Sequence, residues 1–304
     1  MKLAIFGCGN IAHRIAKGAK LVKEIDLVGF GSRDIEKAQQ YSQTYDCKEY
    51  GNYDYFLNSD VDAIYVATYN PNHYELIKTC LEHHKNVICE KPMVSSIEEN
   101  DELFELAKQN NVLLMEAMKA VFLPINIKVK QMLKDKTIGD VLDIRASFIR
   151  NGSHSENHWI NDVKTGGALK DLGSYCAGIM NFLLDDVPTI TSKITNKTSN
   201  KADSIAYVEL DYHGIQGHLA ASNSLNGDCE LFIQGTRGLI KIENFWKAKE
   251  GFYIVDGMDY KLDEELISDF YYELKHFADL VDNHIIESPV MSKEASNNIL
   301  LITK

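Results

Sequence analysis

Three short segments carry residue types that can act on one ligand. Gly7-Cys8-Gly9-Asn10-Ile11-Ala12 is a GxGxxA turn. Its glycines let the backbone approach a pyrophosphate held at the N-terminus of the helix that opens at Asn10 and Ile11. Cys89-Glu90-Lys91-Pro92 closes an apolar run, so Lys91 would project from the carboxyl end of a strand, where doubly wound sheets hold their ligands. Gly166-Gly167-Ala168-Leu169-Lys170-Asp171-Leu172-Gly173-Ser174-Tyr175 begins a helix, and Asp171 and Tyr175, four apart, share one helical face. Each segment also has a structural reading: a turn that serves only packing, a solvated lysine, a core tyrosine with its hydroxyl satisfied, an aspartate that caps or pairs locally.

The end of the second apolar run is the next place to look, because an NAD enzyme commonly puts a carboxylate there for the adenosine ribose. This chain has Gly31-Ser32-Arg33. A hydroxyl and a guanidinium can take a 2′-phosphate, which a carboxylate would repel, so NADP(H) is favoured over NAD(H). Two alternatives stand: Asp34 serves the ribose, or Ser32 is merely a helix cap. Thr68, Asn70 and His73 follow the third apolar run and, with Glu90, complete the candidate cofactor set.

The elements that must position these residues are legible in the periodicity. Over the first 118 residues, apolar runs Leu3–Phe6, Leu27–Phe30, Ala63–Ala67, Asn86–Cys89 and Val112–Met115 alternate with amphipathic stretches beginning near Ile11, Ile35, Asn72 and Ile97. That is the pattern of a Rossmann-type parallel sheet. Ser95 with Glu98 reads as a capping box for the last of these helices. Beyond Pro124 come a helix (Asn126–Lys134), a strand (Leu142–Ile149), a long loop, the glycine-led helix to Leu184, and then mainly strands: Thr189–Ile194, Ala206–Tyr212, Gln216–Ser222, Glu230–Gln234 and Leu239–Ile242. The expected fold is α/β: a dinucleotide-binding domain over 1–118, and over 119–304 an α+β substrate domain with a large, mainly antiparallel open sheet. Alternating Leu219, Ala221, Leu231 and Ile233 suggest that this sheet associates with a second copy. The final helix, containing Glu294 to Ile302, is still running near Lys304, which leaves the completeness of the C-terminus open.

Composition narrows the partners. The 304 residues carry 32 basic and 44 acidic side chains, a formal charge of -12, and no basic stripe fit for a phosphate backbone, so nucleic acid is excluded. The chain shows neither a signal peptide nor the roughly 20 apolar residues of a membrane span, and a cytosolic, membrane-free protein is expected. The 6 cysteines form no CxxC pair, and neither His83-His84 nor His154 with His158 sits in a zinc pattern, so no metal is expected.

With these segments in view, the sequence strongly resembles the Gfo/Idh/MocA oxidoreductases over nearly its whole length. The likeness rests on the GxGxxA turn, Asn70-Pro71-Asn72-His73, Glu90-Lys91-Pro92, and the Gly166 to Tyr175 segment. Leu114 to Met118, with Phe122, Pro124 and Phe148, makes it most similar to the NADP-dependent dihydrodiol and D-xylose dehydrogenase branch. The resemblance implies hydride transfer between nicotinamide and a carbinol carbon, with Lys91 and Tyr175 at the reacting oxygen, Asp171 orienting substrate or Lys91, and His73 on the nicotinamide side. A tyrosine with a pKa of about 10 is a poor base near neutrality, but a nearby ammonium favours the tyrosinate. His158 and Trp159 are candidates for the substrate wall. Lys119 departs from the branch, which has an aromatic residue there, and points to a sugar-like or acidic substrate in place of an aromatic diol. The rivals are a dinucleotide-binding regulator without turnover and an NAD-linked inositol or nucleotide-sugar dehydrogenase, which would carry a carboxylate near Gly31 and a histidine at position 175.

Overall fold

The computed structural model describes residues 1–152 and 158–304; His154 lies outside them. The chain forms two compact units, Met1–Ala117 with Phe270–Glu294, and Met118–Asp269 with Ala295–Lys304.

In the first unit, β1 (Lys2–Phe6), β2 (Asp26–Gly31), β3 (Glu49–Gly51), β4 (Ala63–Val66), β5 (Asn86–Glu90) and β6 (Leu114–Ala117) pair in parallel in the order β3-β2-β1-β4-β5-β6. That is the doubly wound order, whose strand order reverses beside β1. Four residues of β1 and all four of β4 are buried, as strands covered on both faces must be. The helices between them are amphipathic. In α1 (Asn10–Ala19), Ala12, Ile15, Ala16 and Ala19 form the buried stripe. α2 (Ile35–Thr44), α3 (Tyr53–Leu57), α4 (His73–Glu82) and α5 (Ile97–Gln109) complete the set. The cap of α5 lies one residue later than the sequence suggests: Ser96 accepts the Glu99 amide, and the Glu99 carboxylate accepts the Ser95 amide.

The second unit holds α6 (Pro124–Lys134), β7 (Val141–Ile149), α7 (Ser174–Leu184), β8 (Thr189–Thr195), β9 (Ile205–Tyr212), β10 (Ile215–Ser222), β11 (Cys229–Gly235), β12 (Gly238–Glu243), β13 (Glu250–Val255) and β14 (Met258–Asp263). The eight strands run β14-β13-β12-β11-β7-β10-β9-β8, antiparallel except where β7 meets β10. The sequence periodicity misses the β13–β14 hairpin, because its residues are mostly exposed and carry no clear alternation.

Two expectations need correction. First, the C-terminal region does not belong wholly to the second domain. α8 (Tyr271–Asp282) buries Leu274, Phe277 and Ala278 within the first unit, with the Arg14 guanidinium of α1 over the Phe270 ring at 4.9 Å; α9 (Lys293–Thr303) ends the chain. Second, Leu219, Ala221, Leu231 and Ile233 are buried, and Leu219 and Ala221 lie toward Gly173, just before α7. The open face carries the other parity: Glu209, His218, Arg145, Phe232, Lys241 and Phe252 form one cross-strand row. Side-chain direction alternates along a strand, so a one-residue step exchanges the two faces.

Candidate active site

The candidate dinucleotide-binding residues belong to the first unit. Gly7 follows β1 with φ +108°, and a Cβ there would fall 2.4 Å from the Ala67 carbonyl oxygen, so only glycine lets the turn press against the end of β4. Gly9 caps α1 in extended backbone, and a Cβ at Gly9 would meet nothing within 4 Å. No acidic residue occupies the first turn of α1, so Asn10 and Ile11 present an N-terminus suited to an anion.

At the end of β2, Ser32 is buried and its hydroxyl accepts the Asp34 amide at 3.1 Å. The Asp34 carboxylate accepts the Lys37 amide at 3.1 Å and caps α2. The cap is therefore Asp34 and not Ser32. Arg33 is exposed and borders a cleft of about 220 Å³ with Tyr53, Thr68, Leu76 and Thr79. Sequence reading missed Tyr53, Leu76 and Thr79, which share no motif. Tyr53 stacks on Phe6 with ring centroids 4.7 Å apart, and burial pushes its hydroxyl above the ordinary tyrosine range. Thr68 Oγ1 and Asn70 Nδ2 are buried with no hydrogen-bond partner in the protein. Buried polar atoms without partners are uncommon, and a bound dinucleotide would supply them. The residues fit that group.

His73 opens α4. It is fully buried, with Nε2 3.1 Å from the Thr68 carbonyl and Nδ1 3.1 Å from the Pro92 carbonyl. Both nitrogens lie against backbone carbonyls, so the buried ring braces the turn that follows β5. Lys91, half-buried, follows β5 immediately, and Glu90 accepts the Tyr65 hydroxyl at 2.9 Å.

The remaining candidate residues belong to the second unit. Gly167 has φ +112°, and a Cβ there would lie 2.3 Å from Asp203 Oδ1. That close approach lets Asp203 accept the Leu169 amide at 2.8 Å and start the helical segment. The segment opens as a π turn, Leu169–Gly173, that runs into α7, so Asp171 and Tyr175 both stand in helical backbone, both half-buried. Phe148 lies 5.8 Å from the Tyr175 ring and stacks at 3.8 Å on Trp246, whose ring meets Phe245 at 5.7 Å. Trp246 is a member of this aromatic block that the sequence did not flag. His158, half-buried, caps a short 3-10 turn that the half-buried Trp159 opens, and its Nδ1 accepts the Ile160 amide at 3.3 Å. Lys119 is 3% exposed and its ammonium is hydrogen-bonded to Asp269. Its charge is already neutralised, which removes the premise that it awaits an acidic substrate.

Residues 1–118 match the model of an oxidoreductase family with an NAD-binding Rossmann fold, and residues 126–241 match the Gfo/Idh/MocA C-terminal domain. The chain belongs to the Gfo/Idh/MocA family. It is an NAD(P)-binding oxidoreductase, a dehydrogenase or reductase acting on CH–OH groups. The trans-1,2-dihydrobenzene-1,2-diol dehydrogenase of Xenopus laevis is 29% identical, the alignment covering 99% of this chain and 95% of that protein; its counterpart in Mus musculus is 29% identical over 88% and 84%. Among solved structures, the aldose-aldose oxidoreductase of Caulobacter crescentus complexed with glycerol superposes with a TM-score of 0.91 at 20% identity, covering 99% of this chain and 95% of that one. A 3-ketoreductase from Actinomadura kijaniata with NADP and TDP-benzene gives 0.89 at 20% identity, over 99% and 94%. No helix among the described residues is long and apolar enough to cross a membrane.

Proposed function

We propose that this Gfo/Idh/MocA enzyme prefers NADP(H) and interconverts a carbinol and a carbonyl on a small, sugar-like or diol substrate. The observation that carries the cofactor preference is the end of β2, where Ser32 and Arg33 stand in place of a ribose-binding carboxylate while Asp34 is occupied as the cap of α2. A 2′-phosphate would find the Arg33 guanidinium there, with the nearest carboxylate, Asp34, held by its bond to the Lys37 amide and Glu75 farther along the same cleft. The bound cofactor supplies the hydride acceptor or donor. Within the chain, Lys91 holds the reacting oxygen, Tyr175 exchanges the hydroxyl proton, and Asp171 orients the substrate. The Phe148–Trp246 stack fixes the wall behind Tyr175. Relatives named for dihydrobenzenediol and for aldoses support a vicinal hydroxyl pattern as the common chemistry. Self-association through the open face of the eight-stranded sheet is part of the same proposal, supported by the mixed aromatic and charged row from Glu209 to Phe252.

Fluorescence titration with NADPH and NADH tests the cofactor. NADPH should bind at least tenfold more tightly, and Arg33→Ala should erase most of that margin, since a charge-assisted contact contributes about 1.5–3 kcal/mol. Equal or tighter NADH binding overturns the preference. A panel of aldoses, polyols and 1,2-diols, followed by NADPH absorbance, then selects the substrate class.

A further inference from the structure

Four buried polar side chains meet around a single residue. Tyr65, His73, Glu116 and Glu273 are 0%, 0%, 4% and 1% exposed. The Tyr65 hydroxyl donates to Glu90 Oε1 at 2.9 Å and lies 3.4 Å from Glu273 Oε1. His73 Nδ1 is 3.1 Å from the Pro92 carbonyl, and Glu116 Oε1 accepts the Met93 amide at 3.0 Å. The contacts thus fall on residues 90, 92 and 93, and the residue they bracket is Lys91. The four side chains come from β4, α4, β6 and α8, all in the first unit.

Hiding two carboxylates and an imidazole from water is costly, and none of these bonds belongs to a sheet ladder or a helix. An apolar core at these positions would pack as well without the desolvation. What the polar groups add is directional: each fixes one backbone or side-chain atom of the turn. A lysine has four rotatable side-chain bonds, so its ammonium is placed only as well as its backbone is held. Tyr65 has one hydroxyl proton, shared between Glu90 at 2.9 Å and Glu273 at 3.4 Å, so the Glu273 carboxylate, distant in sequence, bears on the same hydroxyl.

We infer that Tyr65, His73, Glu116 and Glu273 are positioning residues that preorganise Lys91 for the reacting oxygen. This rests on the catalytic reading of Lys91 given above. Displacement of about 1 Å in such a group can cost roughly 100-fold in rate.

The test uses the full-length protein with its lysines reductively methylated with carbon-13 formaldehyde, the Lys91 NMR signal being identified by its loss in Lys91→Arg. Tyr65→Phe, which removes one oxygen, and Glu116→Met should each broaden or split the Lys91 signal and leave the other lysine signals in place. Glu116→Gln keeps an acceptor for the Met93 amide and should restore a single sharp signal. On whichever substrate turns over, Tyr65→Phe and Glu116→Met should lower kcat about 100-fold with KM within about threefold, and Glu116→Gln should recover most of kcat. An unchanged Lys91 signal in Tyr65→Phe, or Glu116→Gln as damaging as Glu116→Met, overturns the frame. Tyr65→Phe is decisive by itself if Glu116→Met does not fold. The two readings fail separately: a fully active Lys91→Ala sinks the catalytic lysine and leaves the NMR result standing, whereas an inert Lys91→Ala beside an undisturbed Lys91 signal in Tyr65→Phe sinks only the frame.

Discussion

Lys91 and Lys119 follow the carboxyl ends of neighbouring parallel strands, β5 and β6, yet the chain treats them oppositely. Lys91 is half-buried on a turn whose flanking residues are held by buried polar side chains. Lys119 sits on a short 3-10 turn, almost fully buried, with its ammonium on Asp269. In one case the protein fixes the backbone around a lysine; in the other it neutralises the lysine itself. Residue type and strand position are therefore insufficient to assign chemistry. The partner decides whether a charge is offered to a ligand or consumed by the fold.

The largest effect should come from removing Lys91. Lys91→Ala is expected to bind NADPH as the parent chain does and to lose roughly a thousandfold in kcat, within the range of a general acid-base partner. Stopped-flow reduction with saturating NADPH reads this directly, and a loss confined to KM would reduce Lys91 to a binding group.

Lys119 should respond in stability. Removing one member of a buried ion pair leaves an uncompensated charge and costs about 3–5 kcal/mol, whereas removing both is often close to neutral. Lys119→Met and Asp269→Leu should each lower the urea midpoint markedly, and the double variant should recover most of the loss. Additive losses would mean that the pair is not a coupled unit.

This contrast also separates what the sequence could and could not disclose. The Rossmann order, the GxGxxA turn and the Lys91 and Tyr175 segments were legible because they are local: each needs glycines, a strand end or a helical spacing within about ten residues. The Lys119–Asp269 pair spans 150 positions, and no local pattern reports a partner at that distance. Glu273 and Tyr65, 208 positions apart, were silent for the same reason. The fate of Asp34 turned on a single hydrogen bond to the Lys37 amide, too fine a choice for composition to settle. Periodicity located the apolar face of the large sheet correctly but not what covers it, so Leu219 and Leu231 were read as an outer face when α7 and its preceding turn lie on that side.

The smallest effect, and the one that sharpens the comparison, concerns acid. Burial holds the His73 imidazole below the ordinary histidine range, while hydrogen bonds to the Thr68 and Pro92 carbonyls oppose the shift without cancelling it. A neutral ring has one N–H and donates to one of the two carbonyls at a time. Because the folded-state pKa is depressed, the unfolded chain binds a proton that the folded chain resists as the pH falls below about 6.5. The stability contribution is present above that pH and drains away as the pH descends toward the folded pKa, by at most about 1.4 kcal/mol per pH unit for one proton. Urea unfolding of wild type and His73→Gln between pH 7 and pH 5 should therefore diverge, with the wild type losing stability more steeply. Parallel curves would mean that His73 titrates alike in both states. A steeper variant would mean that the two carbonyls hold an imidazolium, and acid would then tighten the turn that carries Lys91 instead of loosening it.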